Sequence, residues 1–301
     1  ASNFSYPSTL CEDANIQFTD ISIPGTGSFI TNWNWNFGDP QSGTSNLSLL
    51  QNPSHIFNSP GIYNITLTVS SSGGCAGTTT KTVEISGRPT AIFTADTVCK
   101  GNATHFFNAS VANSGFLTSY HWNFGDNSTP SLIPEPSHPY AFSGTYSTTL
   151  RVTNSKGCID SVSNDVLVLP GPQAAFTHDN ENCAGQSVAF FDQSSTSLGY
   201  LNQWIWDFGD GNSATINFPS VQDVTHSYAL PGIYQIILTV QNSEGCIDSV
   251  VQSLEIKANP TADFSYPTVN CESRQVQFQD LTLLNGGGNV FVWNWNFGDP
   301  G

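Results

Sequence analysis

The sequence predicts an all-β protein built from sandwich domains in tandem. Three observations carry that prediction: one motif recurs at domain-length spacing, apolar residues alternate with period two, and rings are abundant where charges are scarce. Of 301 residues, only 10% are Asp, Glu, Lys or Arg, while 12% are Phe, Trp or Tyr. So few charges exclude a coiled coil, a solvated helix bundle or a charged disordered tail. So many rings require a packed interior.

The repeated motif reads Trp35-Asn-Phe-Gly-Asp39, Trp122-Asn-Phe-Gly-Asp126, Trp206-Asp-Phe-Gly-Asp210 and Trp295-Asn-Phe-Gly-Asp299. Its period of 84 to 89 residues is that of a domain and too long for a solenoid. Each unit opens on a proline and an alternating strand, as in Pro89-Thr-Ala-Ile-Phe93, Pro172-Gln-Ala-Ala-Phe176 and Pro260-Thr-Ala-Asp-Phe264. The predicted domains are therefore 1–87, 88–171, 172–259 and 260–301, the last being only the front half of a unit. Next comes the tryptophan strand, with Trp33, Trp35 and Phe37 on one face and Asn34 and Asn36 on the other. Its Gly-Asp ending is a turn signal.

His55-x-Phe57, His138-x-Tyr140 and His226-x-Tyr228 follow in the first three units, and the fourth stops before this point. A long strand comes after each, alternating Tyr63, Ile65, Leu67, Val69; Tyr146, Thr148, Leu150, Val152; and Tyr234, Ile236, Leu238, Val240. About seven short strands per unit, with a buried Trp, a cysteine pair and a late Tyr, specify an immunoglobulin-like sandwich. Junctions such as Gly87-Arg88-Pro89 and Pro170-Gly171-Pro172 are short and hold proline, which predicts a stiff rod.

Cysteines keep the same phase. Cys11, Cys99, Cys183 and Cys271 each precede a motif tryptophan by 23 or 24 residues, and Cys75, Cys158 and Cys246 follow later in the first three units. The expected pairing is one bridge inside each domain: Cys11–Cys75, Cys99–Cys158 and Cys183–Cys246. Each would close a loop of about 60 residues and stabilise by roughly 4 kcal/mol in the chain-entropy model. Pairs in register without a C-x-x-C point to an oxidising, extracellular compartment.

Charge and hydropathy narrow the partners. Seven Lys and Arg stand against 23 Asp and Glu, a net charge of −16, with the cations spread singly. Nucleic acid is thereby excluded, for want of a basic stripe. No run reaches 18 apolar residues, so no membrane span is expected. The opening residues lack an export signal and Met is absent throughout, as expected of a processed or excerpted chain. The polypeptide is expected to continue past Gly301, where the partner of Cys271 would lie.

The W-x-F-G-D signature, the H-x-[FY] after it, the G-x-Y strand and the P-x-A-x-F opening together resemble the polycystic kidney disease (PKD) domain, an immunoglobulin-like sandwich. The resemblance spans the whole chain. The cysteine-bearing variant with Gly-Cys-Ile-Asp-Ser at Gly157 to Ser161 and Gly245 to Ser249 is similar to tandem PKD arrays of large secreted and surface proteins of Bacteroidota. Repeat 1 departs from it, reading Gly74-Cys75-Ala76-Gly77, and only Gly211 keeps the family's glycine after the motif Asp.

Several residues invite sharper readings. The motif acids Asp39, Asp126, Asp210 and Asp299 suggest a metal, and Asp207, Asp210 and Asn212 in repeat 3 offer the best Ca²⁺ candidates. An Asp after Gly in a tight turn more simply accepts backbone N–H bonds. The histidines suggest a general base, yet no nucleophile or second acid accompanies them, so they read as packing elements and the segment as non-catalytic. The pairs Trp33/Trp35, Trp204/Trp206 and Trp293/Trp295 suggest a platform for sugar rings, against a reading as core plus rim; Tyr120 replaces the first ring in repeat 2. Asp96-Thr97-Val98, Asp160-Ser161-Val162 and Asp248-Ser249-Val250 match the D-[ST]-aliphatic O-glycosylation pattern of Bacteroidota, at Thr97, Ser161 and Ser249.

Together these features predict a non-catalytic segment of a long extracellular fibre or stalk, of the adhesin or gliding-filament kind. Neighbouring PKD domains would be its partners, with other surface proteins or glycans beyond them. The alternatives are a spacer or binding region of a secreted hydrolase and a self-assembling filament subunit.

Overall fold

The computed structural model describes residues 1–179, 183–268, 274–286 and 289–298. The chain forms two compact units, Ala1–Val168 and Leu169–Gly301. The first contains two sandwiches, each with its own core, and the second contains one sandwich followed by the described part of the fourth repeat.

In repeat 1 the larger sheet has the strand order Leu47–Ser48, Ile30–Asn36, Gly61–Ser71, Ala76–Ile85, all antiparallel. The facing layer pairs Phe4–Ser5 with Thr19–Asp20 and Asn15–Gln17 with Ser54–Ile56. Alternation along Gly61–Ser71 buries Ile65, Leu67 and Val69. It turns Thr66 and Thr68 outward, where their hydroxyls meet those of Thr80 and Thr78 on the next strand, at 2.8 and 3.0 Å. Such cross-strand pairs fix the register of a face that packing leaves free.

Repeats 2 and 3 repeat this plan. Leu117–Asn123, Gly144–Asn154 and Ile159–Leu169 form the larger sheet of one. Leu201–Asp207, Gly232–Asn242 and Ile247–Ile256 form that of the other. Trp35, Trp122 and Trp206 are fully buried at the three centres. The opening phenylalanine stands edge-on to each: Phe4, Phe93 and Phe176 lie 5.1 to 5.2 Å from the ring, tilted 69 to 74°. That is the favoured quadrupole geometry of an aromatic pair. The tryptophan strand starts on a register shift in all three, between Ile30 and Asn32, Leu117 and Ser119, and Leu201 and Gln203.

Repeat 4 differs. Its described residues pair Phe264–Ser265 with Gln279–Asp280, and Trp295 and Phe297 are 40% and 63% exposed where Trp35 and Phe37 are 0% and 1%. Asp299 and Cys271 lie outside the described residues.

Candidate functional site

The motif Asp and the following His form one unit. His55 Nε2 lies 3.1 Å from Asp39 Oδ2, and the matching distance is 2.7 Å for both His138–Asp126 and His226–Asp210. Each imidazole is stacked on the motif phenylalanine, Phe37, Phe124 or Phe208, with centroids 4.0 to 4.3 Å apart and planes within 10°. Its other side meets the edge of Phe57, Tyr140 or Tyr228. Between phenylalanine and acid, glycine is required: Gly38, Gly125 and Gly209 have φ of 68, 81 and 73°, and a Cβ on any of them would stand 2.6 Å from a backbone oxygen of the G-x-Y strand.

Burial alone would raise the carboxyl pKa of Asp126, yet bonds from Ser128 and His138 outweigh it and hold that pKa below the ordinary carboxylate value. Asp210 is lowered in the same way, burial being outweighed by His226 and Asn212. The sequence shows these acids and histidines as separate motifs; the structure makes them a clasp between the tryptophan turn and the facing layer. The Ca²⁺ candidates serve the same turn. Asp207 Oδ1 accepts from Gly209 N, Asp210 Oδ1 from Asn212 N, and Asp210 Oδ2 from His226 and the Asn212 amide.

The outer tryptophans are held as well. Trp33, Trp204 and Trp293 donate their indole N–H to Asp20, Asp192 and Asp280 at 2.7 to 2.9 Å. Trp204 is buried and Trp33 partly so, which seats both in core and rim. In the D-[ST]-aliphatic triplets, Asp160 and Asp248 accept the backbone N–H of Ala91 and Ala174, pinning the opening strand to the closing strand of the same domain. Thr97, Ser161 and Ser249 are exposed. Repeat 1 has Gly77 at the place of those acids, facing Ser2.

The cysteines correct the expected pairing. Cys11 is bonded to Cys158, with Cα atoms 5.7 Å apart, so the bridge joins repeat 1 to repeat 2. Cys75 and Cys183 are free thiols, and Cys99 and Cys246 are each disulfide-bonded. None of Cys11–Cys75, Cys99–Cys158 or Cys183–Cys246 is therefore formed. The reason is strand length. Cys11 bridges Ser86, just past the end of Ala76–Ile85, whereas Cys75 sits in the turn before that strand begins. Ten extended residues, at about 3.3 Å each, put roughly 33 Å between two positions that a disulfide needs within about 7 Å. Cys183 likewise bridges Lys257, at the far end of Ile247–Ile256 from Cys246.

Where repeat 1 ends, the hairpin turn of repeat 2 meets it. Asn154, buried in that turn, donates its amide to Gly87 O at 3.0 Å and to Ala112 O, while its Oδ1 accepts from Lys156 N and Cys158 N. Arg88 spans the junction: its backbone N–H reaches Glu12 Oε1 at 2.8 Å and its guanidinium bonds Ile159 O. Lys156 pairs with Glu84 at 3.1 Å. Ser86, Gly87 and Pro89 are buried as a result. Asn154 was overlooked in the sequence, although Asn154-Ser-Lys-Gly-Cys158 and Asn242-Ser-Glu-Gly-Cys246 share it and the turn of Cys75 has Ser71 instead.

Comparison with known proteins agrees with this architecture. The profile of the PKD domain family matches residues 2–87, 86–168 and 170–258. A microbial collagenase of Vibrio alginolyticus is 33% identical over 88 residues, which are 29% of this chain and 10% of the collagenase. The pre-pro-metalloprotease PrtV of Vibrio cholerae serotype O1 is 26% identical over 159 residues, 50% of this chain and 16% of PrtV. The crystal structure of the PKD1 domain of the Vibrio cholerae metalloprotease PrtV is 31% identical, the alignment covering 29% of this chain and 96% of that domain with a TM-score of 0.25. This chain thus spans only 10% and 16% of the two curated relatives. With three matched copies of the W-x-F-G-D turn and its histidine clasp, the chain belongs to the PKD domain family.

Proposed function

We propose that the chain is a non-catalytic extracellular spacer that holds other parts of a larger protein at a set distance. The observation that carries this reading is the junction of repeats 1 and 2, where Ser86, Gly87 and Pro89 of the linker are buried and a disulfide joins the two domains. A linker held in that way keeps two domains from swinging independently, which suits a stalk. The clasped histidines support it too, since each is spent on a stacked, hydrogen-bonded turn, and Ser128 beside His138 gives its hydroxyl hydrogen to Asp126. The bridge suits an oxidising compartment.

Two settings fit such a spacer: the stalk of a surface adhesin or filament, and the spacer of a secreted hydrolase. The likeness to a collagenase and a metalloprotease favours the second. Glycan on the exposed Thr97, Ser161 and Ser249 belongs to the same extracellular reading and is checked by intact mass of native material.

The test is co-sedimentation of the chain with insoluble collagen, cellulose and chitin, alongside a hydrolysis assay on the same solids. A spacer stays in the supernatant and cleaves nothing. Saturable retention on one solid, lost in Trp33→Ala or Trp204→Ala, would make it a binding region instead.

A further inference from the structure

We propose that the end of repeat 3 at Cys183 is a socket for one kind of partner: a hairpin turn of sequence Asn-x-x-Gly-Cys on an adjoining PKD repeat, whose cysteine bonds Cys183. The inference goes beyond the spacer reading and does not depend on it, since a binding region could be jointed in the same way.

Repeat 1 holds such a turn at the matching place. There Cys11 bridges Ser86, Glu12 N donates to Ser86 O at 3.0 Å, and Cys11 is bonded to Cys158 of the Asn154-Ser-Lys-Gly-Cys158 turn. Repeat 3 has the same backbone: Cys183 bridges Lys257, and Ala184 N donates to Lys257 O, also at 3.0 Å. The loop that braces the linker is reproduced as well. Asn113 Nδ2 donates to Arg88 O at 2.7 Å and to Thr90 Oγ1 at 2.9 Å, and Asn285 Nδ2 donates to Asn259 O at 3.0 Å and to Thr261 Oγ1 at 2.8 Å. Both asparagines have positive φ, 54 and 51°. In this register Ala258 matches Gly87 and Leu284 matches Ala112, and the carbonyls of Gly87 and Ala112 are the two that receive the Asn154 amide.

The two ends differ in cover. Ser86, Gly87 and Pro89 are buried, whereas Lys257 and Pro260 are exposed and Ala258 is half-buried. Cys183 is a free thiol where Cys11 is bonded. The residues that receive a turn in repeat 1 are therefore present and more accessible in repeat 3. Two departures leave the joint workable. Lys257 replaces Ser86 and keeps its ammonium in solvent on a long stem. Asn259 replaces Arg88, and its amide fastens the linker to Ala184 O at 2.8 Å, as Glu12 fastens Arg88 N.

The choice of partner follows from the turns themselves. Those of repeats 2 and 3 are already bonded through Cys158 and Cys246. The turn of Cys75 has Ser71 where Asn154 donates twice and accepts twice, so a second copy of this chain is the poorer match. Charge narrows it further. Lys156, third in its turn, pairs with Glu84, and Glu255 stands exposed at the matching position of repeat 3. A turn with lysine third fits this end better than one with glutamate, as at Glu244.

Forming the bond removes two electrons from the thiol pair and releases both protons to solvent, while a disulfide oxidant takes the electrons and becomes a dithiol. In the experiment the probe carries its own oxidant. The full chain is treated with a backbone-cyclised peptide of residues 152–160, closed where Val152 and Asp160 pair, with Cys158 activated as a 2-pyridyl disulfide. The Cys183 thiolate attacks the peptide sulfur, the new S–S bond forms and pyridine-2-thiolate leaves; its absorbance gives the rate and peptide mapping gives the site. The peptide should modify Cys183 about tenfold faster than Cys75, because docking raises the local concentration of the reactive disulfide. The small reagent 2,2′-dipyridyl disulfide should instead prefer Cys75, which is exposed. An Asn154→Ala peptide should lose the preference for Cys183. A peptide that follows the order of the small reagent, or that reacts equally well without its asparagine, overturns the proposal. So does a Cys183–Cys75 cross-link between two copies that forms faster than the peptide adduct, which would make a second copy the occupant. The spacer reading stands or falls separately, on the co-sedimentation result.

Discussion

Cys11 and Cys158 are neighbours because each stands at the end of its own domain that faces the other: Cys11 beside Ser86, where repeat 1 finishes, and Cys158 in the hairpin turn with which repeat 2 meets it. Peptide mapping without reduction should therefore recover a Cys11–Cys158 cross-link. Native alkylation of residues 1–301 should label Cys75, which is exposed, faster than Cys183, which is half-buried. A Cys11–Cys75 cross-link in folded protein would show the junction assignment wrong.

Gly209 and Gly211 separate backbone strain from steric collision within one turn. Both have positive φ, 73 and 92°, but a Cβ at Gly209 would meet Gln235 O at 2.6 Å whereas at Gly211 it meets nothing within 4 Å. Gly211→Ala is expected to cost about 1 kcal/mol, the price of the left-handed backbone alone. Gly209→Ala should cost about 3 kcal/mol, because Gln235 belongs to a central strand that cannot retreat. Denaturant titration of the two variants checks the order, and equal losses would refute the close approach.

The cores were legible in the sequence and the cysteine pairing was not, for a physical reason. Burial of Ile65, Leu67 and Val69, or of Trp35, follows from alternation over a few residues, which is a local signal. The clasp was half legible, since Asp39 and His55 recur in phase but nothing in sequence says that they touch. A disulfide is different: Cys11–Cys75 and Cys11–Cys158 have the same periodicity, one bridge per repeat. Phase cannot tell a bond within a domain from one shifted by a whole domain. What decides is the length of Ala76–Ile85, which carries the chain from one end of the domain to the other. The Asn of Asn154-Ser-Lys-Gly-Cys158 was the available hint, present where the turn is buried against a neighbour and replaced by Ser71 where it is exposed.

The clasp predicts an acid limit to stability. Asp126 and Asp210 have folded pKa values below the ordinary one, so the folded state binds fewer protons than the unfolded state near that pH. Their contribution is fully present above the unfolded value of about 3.9 and is lost as pH falls through the lower folded values. Denaturation midpoints should thus fall below about pH 4, and Asp210→Asn should flatten that fall in repeat 3 while lowering stability at pH 7. An acid limb unchanged in the Asp126→Asn/Asp210→Asn double variant would remove the carboxylates from the account.

Repeat 4 supplies the last prediction. Phe291, Val292, Trp293, Trp295 and Phe297 correspond in phase to the tryptophan strand of the other repeats, yet all are at least 40% exposed. In repeat 1 the same strand is covered by pairing with Gly61–Ser71, which sets Trp35 opposite Leu67 and closes the sandwich over it. Among the described residues of repeat 4 no strand pairs with this segment, which packs against Phe264 and Phe278 and lacks the hydrogen bonds of a central strand, so it is marginal alone. In residues 1–301, amides from Phe291 to Phe297 should exchange with solvent orders of magnitude faster than those from Ile30 to Asn36, which unfold only with their domain. Trp293 and Trp295 should also be the tryptophans most readily quenched by acrylamide. Adding a peptide of this chain's own Gly61–Ile85 hairpin, which brings the Tyr63, Ile65, Leu67 and Val69 face, should slow exchange in repeat 4 and leave repeat 1 unchanged. Protection of Phe291 to Phe297 equal to that of Ile30 to Asn36 in a proven monomer, without peptide, would show that this half-sandwich is stable by itself.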